Sequence, residues 1–136
     1  MSAEHQLSGL QLAVMRELWQ RGEATVAEVH AALRESRGLA VTTIATVLSR
    51  LEKRGLVRHR RDGRQYIYHA AVSDRDVQRS MLAELTERVF DGDVTALVSH
   101  LITDRELEPD DLSRVKAMIE ARERELAGED DPDDAQ

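Results

Sequence analysis

The 136-residue sequence has no cysteine. That excludes a disulfide scaffold, a thiolate zinc site and a cysteine nucleophile. Aromatic residues are also scarce: Trp19, Tyr66, Tyr68 and Phe90 are the whole set. There is no long hydrophobic run. The longest uncharged stretch, 38–49, contains threonines and a serine and falls short of the roughly 18 apolar residues of a membrane span. The opening Met-Ser-Ala-Glu-His has no basic region and no apolar stretch behind it. No signal peptide and a cytoplasmic location are therefore expected.

Features of enzymes are missing as well. There is no phosphate-cradling glycine loop and no nucleophile elbow. The five histidines, His5, His30, His59, His69 and His100, contain no i, i+4 pair of the kind that holds a metal on a helix. His59 and His69 could come near each other, but no carboxylate is evident to complete a site. Asp110-Asp111 and Asp130-Asp131 read as a helix start and a tail rather than an acid/base pair. Met81 and Met118 read as core or interface filler. No catalysis, metal or cofactor is expected.

What is there is charge, unevenly placed. The net charge is -7, which by itself argues against a polyanionic partner. Residues 1–72, however, hold 11 basic and 7 acidic residues, whereas 73–136 hold 8 and 19. Between 39 and 69 the count is seven basic to two acidic. Local charge, and not the total, decides which surface meets a phosphate backbone. Arginine supplies 17 of the 19 cations, a bias common in high-GC bacteria.

Three amphipathic helices open the chain. Ser8 is a plausible N-cap for a stripe of Leu10, Val14 and Leu18, with Met15 and Trp19 beside it, ended by Gly22. Thr25 and Glu28 have capping-box spacing before Val26, Val29 and Leu33, and Gly38 closes that helix. Thr42 or Thr43 is expected to cap a third, with Ile44, Val47, Leu48 and Leu51 as its stripe and Gly55 after it. The period then falls to two. Runs 56–61 and 64–69 flank Asp62-Gly63, the signature of a two-residue type I′ hairpin. A hairpin is not stable alone and must lean on the helices. Tyr66 and Tyr68 are expected to pack there. Helix, helix, helix, hairpin is the order of a winged helix-turn-helix domain.

The second half is helical too. Ser73, with Asp76 as capping partner, starts a stripe of Val77, Met81, Leu82, Leu85, Val89 and Phe90, broken by Asp91-Gly92-Asp93. A shorter helix carries Val94, Leu97, Val98, Leu101 and Ile102. Pro109 with Asp110 and Asp111 suits the start of a last helix bearing Leu112, Val115, Ile119 and Leu126. From 128 onward the chain reads as a disordered acidic tail. The expected fold is thus mainly α with a small β-hairpin. A winged-helix DNA-binding domain (1–72) precedes a helical dimerisation domain (73–127) and a tail (128–136). Three such helices make a poor core alone, so their stripes are expected to meet a second copy at Val77, Met81, Leu85, Val89, Phe90, Leu97, Leu101, Leu112, Val115 and Ile119. The alternative is that they fold back on the wing domain.

The third helix places Thr42, Thr43, Thr46, Ser49, Arg50 and Lys53 off its apolar stripe. Short hydrogen-bonding side chains suit base edges in the major groove, and long cations suit phosphates. A solvated helix face tolerates the same residues. The hairpin adds Arg58, Arg60, Arg61 and Arg64 with only Asp62 opposing. Like charges on one ribbon repel. Phosphate contacts explain four of them, whereas protection of a strand edge explains one or two.

These residues resemble a known family. Leu7-Ser8, Val14-Met15, Leu18-Trp19, the stretch 41–57 (Val-Thr-Thr-Ile-Ala-Thr-Val-Leu-Ser-Arg-Leu-Glu-Lys-Arg-Gly-Leu-Val) and Tyr66-Ile67-Tyr68 are similar to the BlaI/MecI/CopY penicillinase-repressor family. Phe90-Asp91-Gly92-Asp93 with Leu97-Val98 looks like that family's short dimerisation segment. The resemblance implies a homodimeric repressor on a pseudo-palindromic double-stranded DNA operator. The third helix would read the major groove, with Thr43 and Thr46 facing it, and the wing would grip backbone. Ala45 stands where some β-lactamase repressors carry an arginine, so their operator does not transfer. Antibiotic-responsive members are released when a membrane sensor protease system leads to cleavage in the dimerisation segment. The matching bond here is His100-Leu101, which lacks the Asn-Phe pair of those relatives. The cysteine-rich tail of copper-responsive members is absent. The releasing signal is therefore left open. Other readings are a winged-helix module docking its basic ribbon on an acidic partner protein, and a repressor with a small ligand between wing domain and dimer helices.

Overall fold

The computed structural model describes residues 6–104 and 106–129. It divides into two compact units, Met1–Gly92 and Asp93–Gln136. The first contains α1 (Gly9–Arg21), β1 (Ala24–Thr25), α2 (Val26–Arg37), α3 (Val41–Lys53), β2 (Val57–Asp62), β3 (Gln65–Ala70) and α4 (Asp74–Phe90). The second contains α5 (Val94–Thr103) and α6 (Pro109–Glu129).

Helix boundaries follow local chemistry. Ser8 Oγ accepts from the Gln11 N–H while the Gln11 side chain accepts from the Ser8 N–H, a reciprocal cap on α1. Thr25 and Glu28 do the same for α2. The main-chain N–H of Thr25, more than any other contact, holds the Glu28 carboxyl below its ordinary pKa. Ser73 caps α4 through the Asp76 N–H. Gly38 ends α2 in the left-handed region at φ 61°.

Four local expectations are corrected. The N-cap of α3 is Ala40, with no side-chain cap, and Thr42 and Thr43 lie inside the first turn. The hairpin turn is Gly63-Arg64, one residue later than expected, because Asp62 pairs with Gln65. Gly63 has φ 63°, and Asp91 is the sole non-glycine residue with positive φ among those described. Positive φ at only the first central position matches a type II′ turn instead of type I′. A short strand, β1, was not expected. It pairs with β3 at Ala24↔Tyr68 and Thr25↔Ile67, giving the antiparallel order β1-β3-β2. Finally, α6 continues through Glu129, past the start expected for the tail; residues 130–136 lie outside the described residues.

The core lies between the three helices and the sheet. Val14, Met15, Val29, Leu48, Leu51 and Val57 are fully buried, and Tyr68 closes the cluster from β3. Val77 of α4 joins this core at 1% exposure and Met81 packs on it. The first half of α4 thus serves the winged helix, and the compact-unit division at 92/93 lies one helix beyond the 72/73 boundary read from sequence. Val77, expected at a dimer surface, is consumed by its own unit. The Trp19 indole N–H donates to the Val72 carbonyl at 2.9 Å and ties α1 to the approach to α4. An open apolar groove of about 1080 Å³ runs between α1 and α4, walled by Leu12, Trp19, Met81, Leu82, Leu85 and Val89.

Candidate nucleic-acid interface

Helix α3 has one buried and one exposed face. Ile44, Leu48 and Leu51 point into the core. Thr42, Thr46, Ser49, Arg50 and Lys53 are all exposed, and their spacing of i, i+4, i+7, i+8 and i+11 places them on one stripe. Thr43 is half-buried at its margin. Val41 was missed: it extends this surface at 48% exposure. Its distance from Ile44 mimics a core position, and only the early start of α3 at Ala40 reveals it as the first helical residue.

The Thr46 hydroxyl donates to the Thr42 carbonyl at 2.9 Å. This bond commits its proton and leaves its lone pairs and methyl group outward.

Strand alternation sorts the wing arginines. Val57, His59 and Arg61 share one face of β2, opposite Ala70, Tyr68 and Tyr66; Arg58 and Arg60 share the other, opposite His69 and Ile67. Arg64 sits in the turn. Arg60 Nη2 donates to Glu23 Oε1 at 2.9 Å. That hydrogen bond, then the Glu23 charge, raises the guanidinium pKa further above its ordinary value. Both partners are about half exposed, 53% and 52%, so the pair contributes little to stability. Arg61 lies 5.5 Å from the centre of the Tyr66 ring. Arg50, Lys53, Arg58 and Arg64 have no ion pair among the described residues.

The histidine expectation also changes. A carboxylate does reach the hairpin: Glu52 on α3 lies 2.6 Å from His59 Nδ1. His59 and His69 are on opposite strand faces and form no pair. Tyr66 is 41% exposed and stacks on His59 at 4.2 Å instead of packing on the helices, whereas Tyr68 is buried as expected. Burial, followed by the charge of Glu52 and by Tyr66, raises the Tyr68 pKa above its ordinary value. A seven-residue separation across a helix end and a strand start has no sequence signature, so the Glu52–His59 contact was not legible.

The α4 stripe beyond Met81 is open: Leu82 is 52%, Leu85 42% and Val89 65% exposed, and Phe90 is half-buried. In the second unit Leu97 is buried and Val115 half-buried, while Leu101, Leu112 and Ile119 are 49%, 43% and 51% exposed. His100 Nδ1 contacts Asp104 Oδ2 at 2.8 Å across one turn of α5. No helix among the described residues is long and apolar enough to cross a membrane.

Comparison with known proteins agrees with this architecture. The penicillinase repressor family model matches residues 7–121. Transcriptional regulator BlaI of Mycobacterium tuberculosis is 41% identical over 119 residues, covering 85% of this chain and 86% of the relative. The penicillinase repressor of Bacillus licheniformis is 24% identical over 115 residues, covering 85% and 90%. The solved DNA-binding domain of the repressor BlaI is 30% identical with TM-score 0.50, covering 56% of this chain and 93% of that one. A structure of hsRosR-SG, 16% identical with TM-score 0.52 and covering 90% and 97%, shares the fold. With the family model spanning the winged helix and the helices behind it, the chain belongs to the penicillinase repressor family of transcriptional regulators.

Proposed function

We propose that this chain is a dimeric repressor that binds a pseudo-palindromic DNA operator through α3 and the wing. One observation carries the reading. Arg50 and Lys53 share the exposed threonine-serine stripe of α3, Arg58 and Arg64 stand exposed on the wing, and none of the four has a carboxylate partner among the described residues. Folding alone gives no reason to gather unneutralised cations there, whereas each phosphate neutralised releases counterion. Val41, Thr42, Thr43, Thr46 and Ser49 would meet base edges.

Dimerisation rests on the open apolar side chains of α4, α5 and α6. A second copy covering Leu85, Val89, Leu101, Leu112 and Ile119 removes them from water. Two linked wing domains then bind one operator. Splitting the pair loses about 10²–10⁴-fold in affinity through effective concentration alone. The acidic rear half repels phosphates and orients the docked dimer.

The test is a gel shift on the DNA upstream of its own coding sequence, with mixed-sequence competitor, beside sedimentation of the free protein. A dimer that shifts the duplex and resists competitor supports the reading. A chain that stays monomeric at micromolar concentration, or ignores duplex at low salt, ends it.

A further inference from the structure

Four side chains form a continuous path from α3 to the far part of the wing. Glu52, near the end of α3, holds His59 Nδ1 of β2 with both carboxylate oxygens, at 2.6 and 2.8 Å. The His59 ring stacks on Tyr66 of β3 at 4.2 Å with planes 23° apart. Tyr66 in turn carries the Arg61 guanidinium 5.5 Å from its ring centre. Tyr68 lies beneath, 5.5 Å from His59 and 6.4 Å from Tyr66. Glu52 and His59 are each about one-third exposed, so neither is needed to fill the core.

We propose that Glu52 is a positioning residue for DNA binding, aiming Arg61 at a phosphate through His59 and Tyr66. This rests on the DNA-binding reading above. A carboxylate on a surface meant for phosphates is costly by simple Coulomb repulsion. Its placement makes sense when it orders something worth more than its charge costs. An unsupported two-strand ribbon is flexible and its arginine samples many rotamers. The Glu52–His59 bond anchors β2 to the helix that enters the groove, and the ring stack converts that anchor into one direction for Arg61. The groups that meet the His59 ring are Glu52 from α3 and Tyr66 and Tyr68 from β3, with Arg61 on the far side over Tyr66. Glu52 is the only anion among them.

Charge and positioning predict opposite signs, which makes the test sharp. Binding of a mixed-sequence duplex by the full chain is measured against salt for the unaltered protein, E52A, E52Q, R61A and E52A/R61A, with circular dichroism confirming the fold. Positioning predicts that E52A weakens binding several-fold and lowers the slope of log affinity against log salt by up to about one. E52Q keeps an acceptor for His59 and restores the slope. E52A adds no further loss once Arg61 is gone. Tighter binding by E52A, or equal losses with and without Arg61, overturns the proposal while leaving the DNA-binding reading intact. Failure of the unaltered chain to bind duplex overturns both. Should E52A lose its fold, Y66A gives the same comparison: the slope must fall by the same amount as in R61A, and an unchanged slope overturns the path.

Discussion

Glu23 Oε1 accepts from Arg60 Nη2 at 2.9 Å across the sheet, so this wing arginine already has an anion of its own. Any phosphate must compete with Glu23. Glu23→Ala should therefore free Arg60 and tighten binding to duplex of any sequence. The salt slope should steepen by up to about one. Filter binding over a salt series checks this, and an unchanged slope removes Arg60 from the interface.

Arg60 and Arg61 stand on opposite faces of β2. Replacing each by alanine should give unequal losses, larger for Arg61, with the double variant weakening all sequences and flattening the salt dependence by up to about one per arginine. Equal losses would mean that both ribbon faces approach the backbone.

The bond from Thr46 to the Thr42 carbonyl limits what Thr46 could offer a base edge. Thr46 can accept from an exocyclic amine or offer its methyl group to thymine, but its proton is taken. Thr46→Val keeps the methyl and Thr46→Ser keeps the acceptor. If the hydroxyl reads, valine shifts preference among operator variants and serine does not; methyl reading gives the reverse. Competition between base-substituted duplexes separates them, and equal losses on operator and random DNA would remove Thr46 from base reading.

Val77 and Val89 lie on the same helix and should behave in opposite ways. Val77 is 1% and Val89 65% exposed. Val77→Ala should cost roughly 2 kcal/mol of stability by leaving a cavity under α4. Val89→Glu should leave the unfolding of a monomer unchanged and shift sedimentation toward the single chain. A dimer untouched by Val89→Glu would move the interface elsewhere.

Tyr68 gives a pH dependence. Its pKa is raised in the fold, chiefly by burial, so the fold favours the neutral phenol. That contribution is complete below the unfolded value of about 10 and is lost as pH rises through the folded value. Tyr68→Phe removes the ionisable group. Its urea midpoint should fall less than that of the unaltered protein as pH rises above about 10. Parallel curves would deny Tyr68 a part in alkaline unfolding.

Element by element, legibility tracked the range of the interaction. Ser8 with Gln11, Thr25 with Glu28 and Gly38 act within four residues, and each left a readable mark. The start of α3 was misplaced because Ala40 caps it without a side-chain bond. The hairpin slipped by one residue because Gly63 also suits the first central position of a type II′ turn, which the Asp62↔Gln65 pairing selects. β1 is two residues long and carries no alternation to read.

Composition and periodicity alone determined the winged-helix order, the cationic stretch from 39 to 69 and the apolar stripes behind it, because hydrophobic period and turn chemistry are local properties of the chain. Which cations are already neutralised, which stripe residues remain open and what anchors the wing were settled by tertiary structure. Glu23 and Arg60 are 37 positions apart, and Val77 reaches a core built by α1, α2, α3 and the sheet. Contacts of that range depend on strand register and helix packing, which no short window of sequence contains.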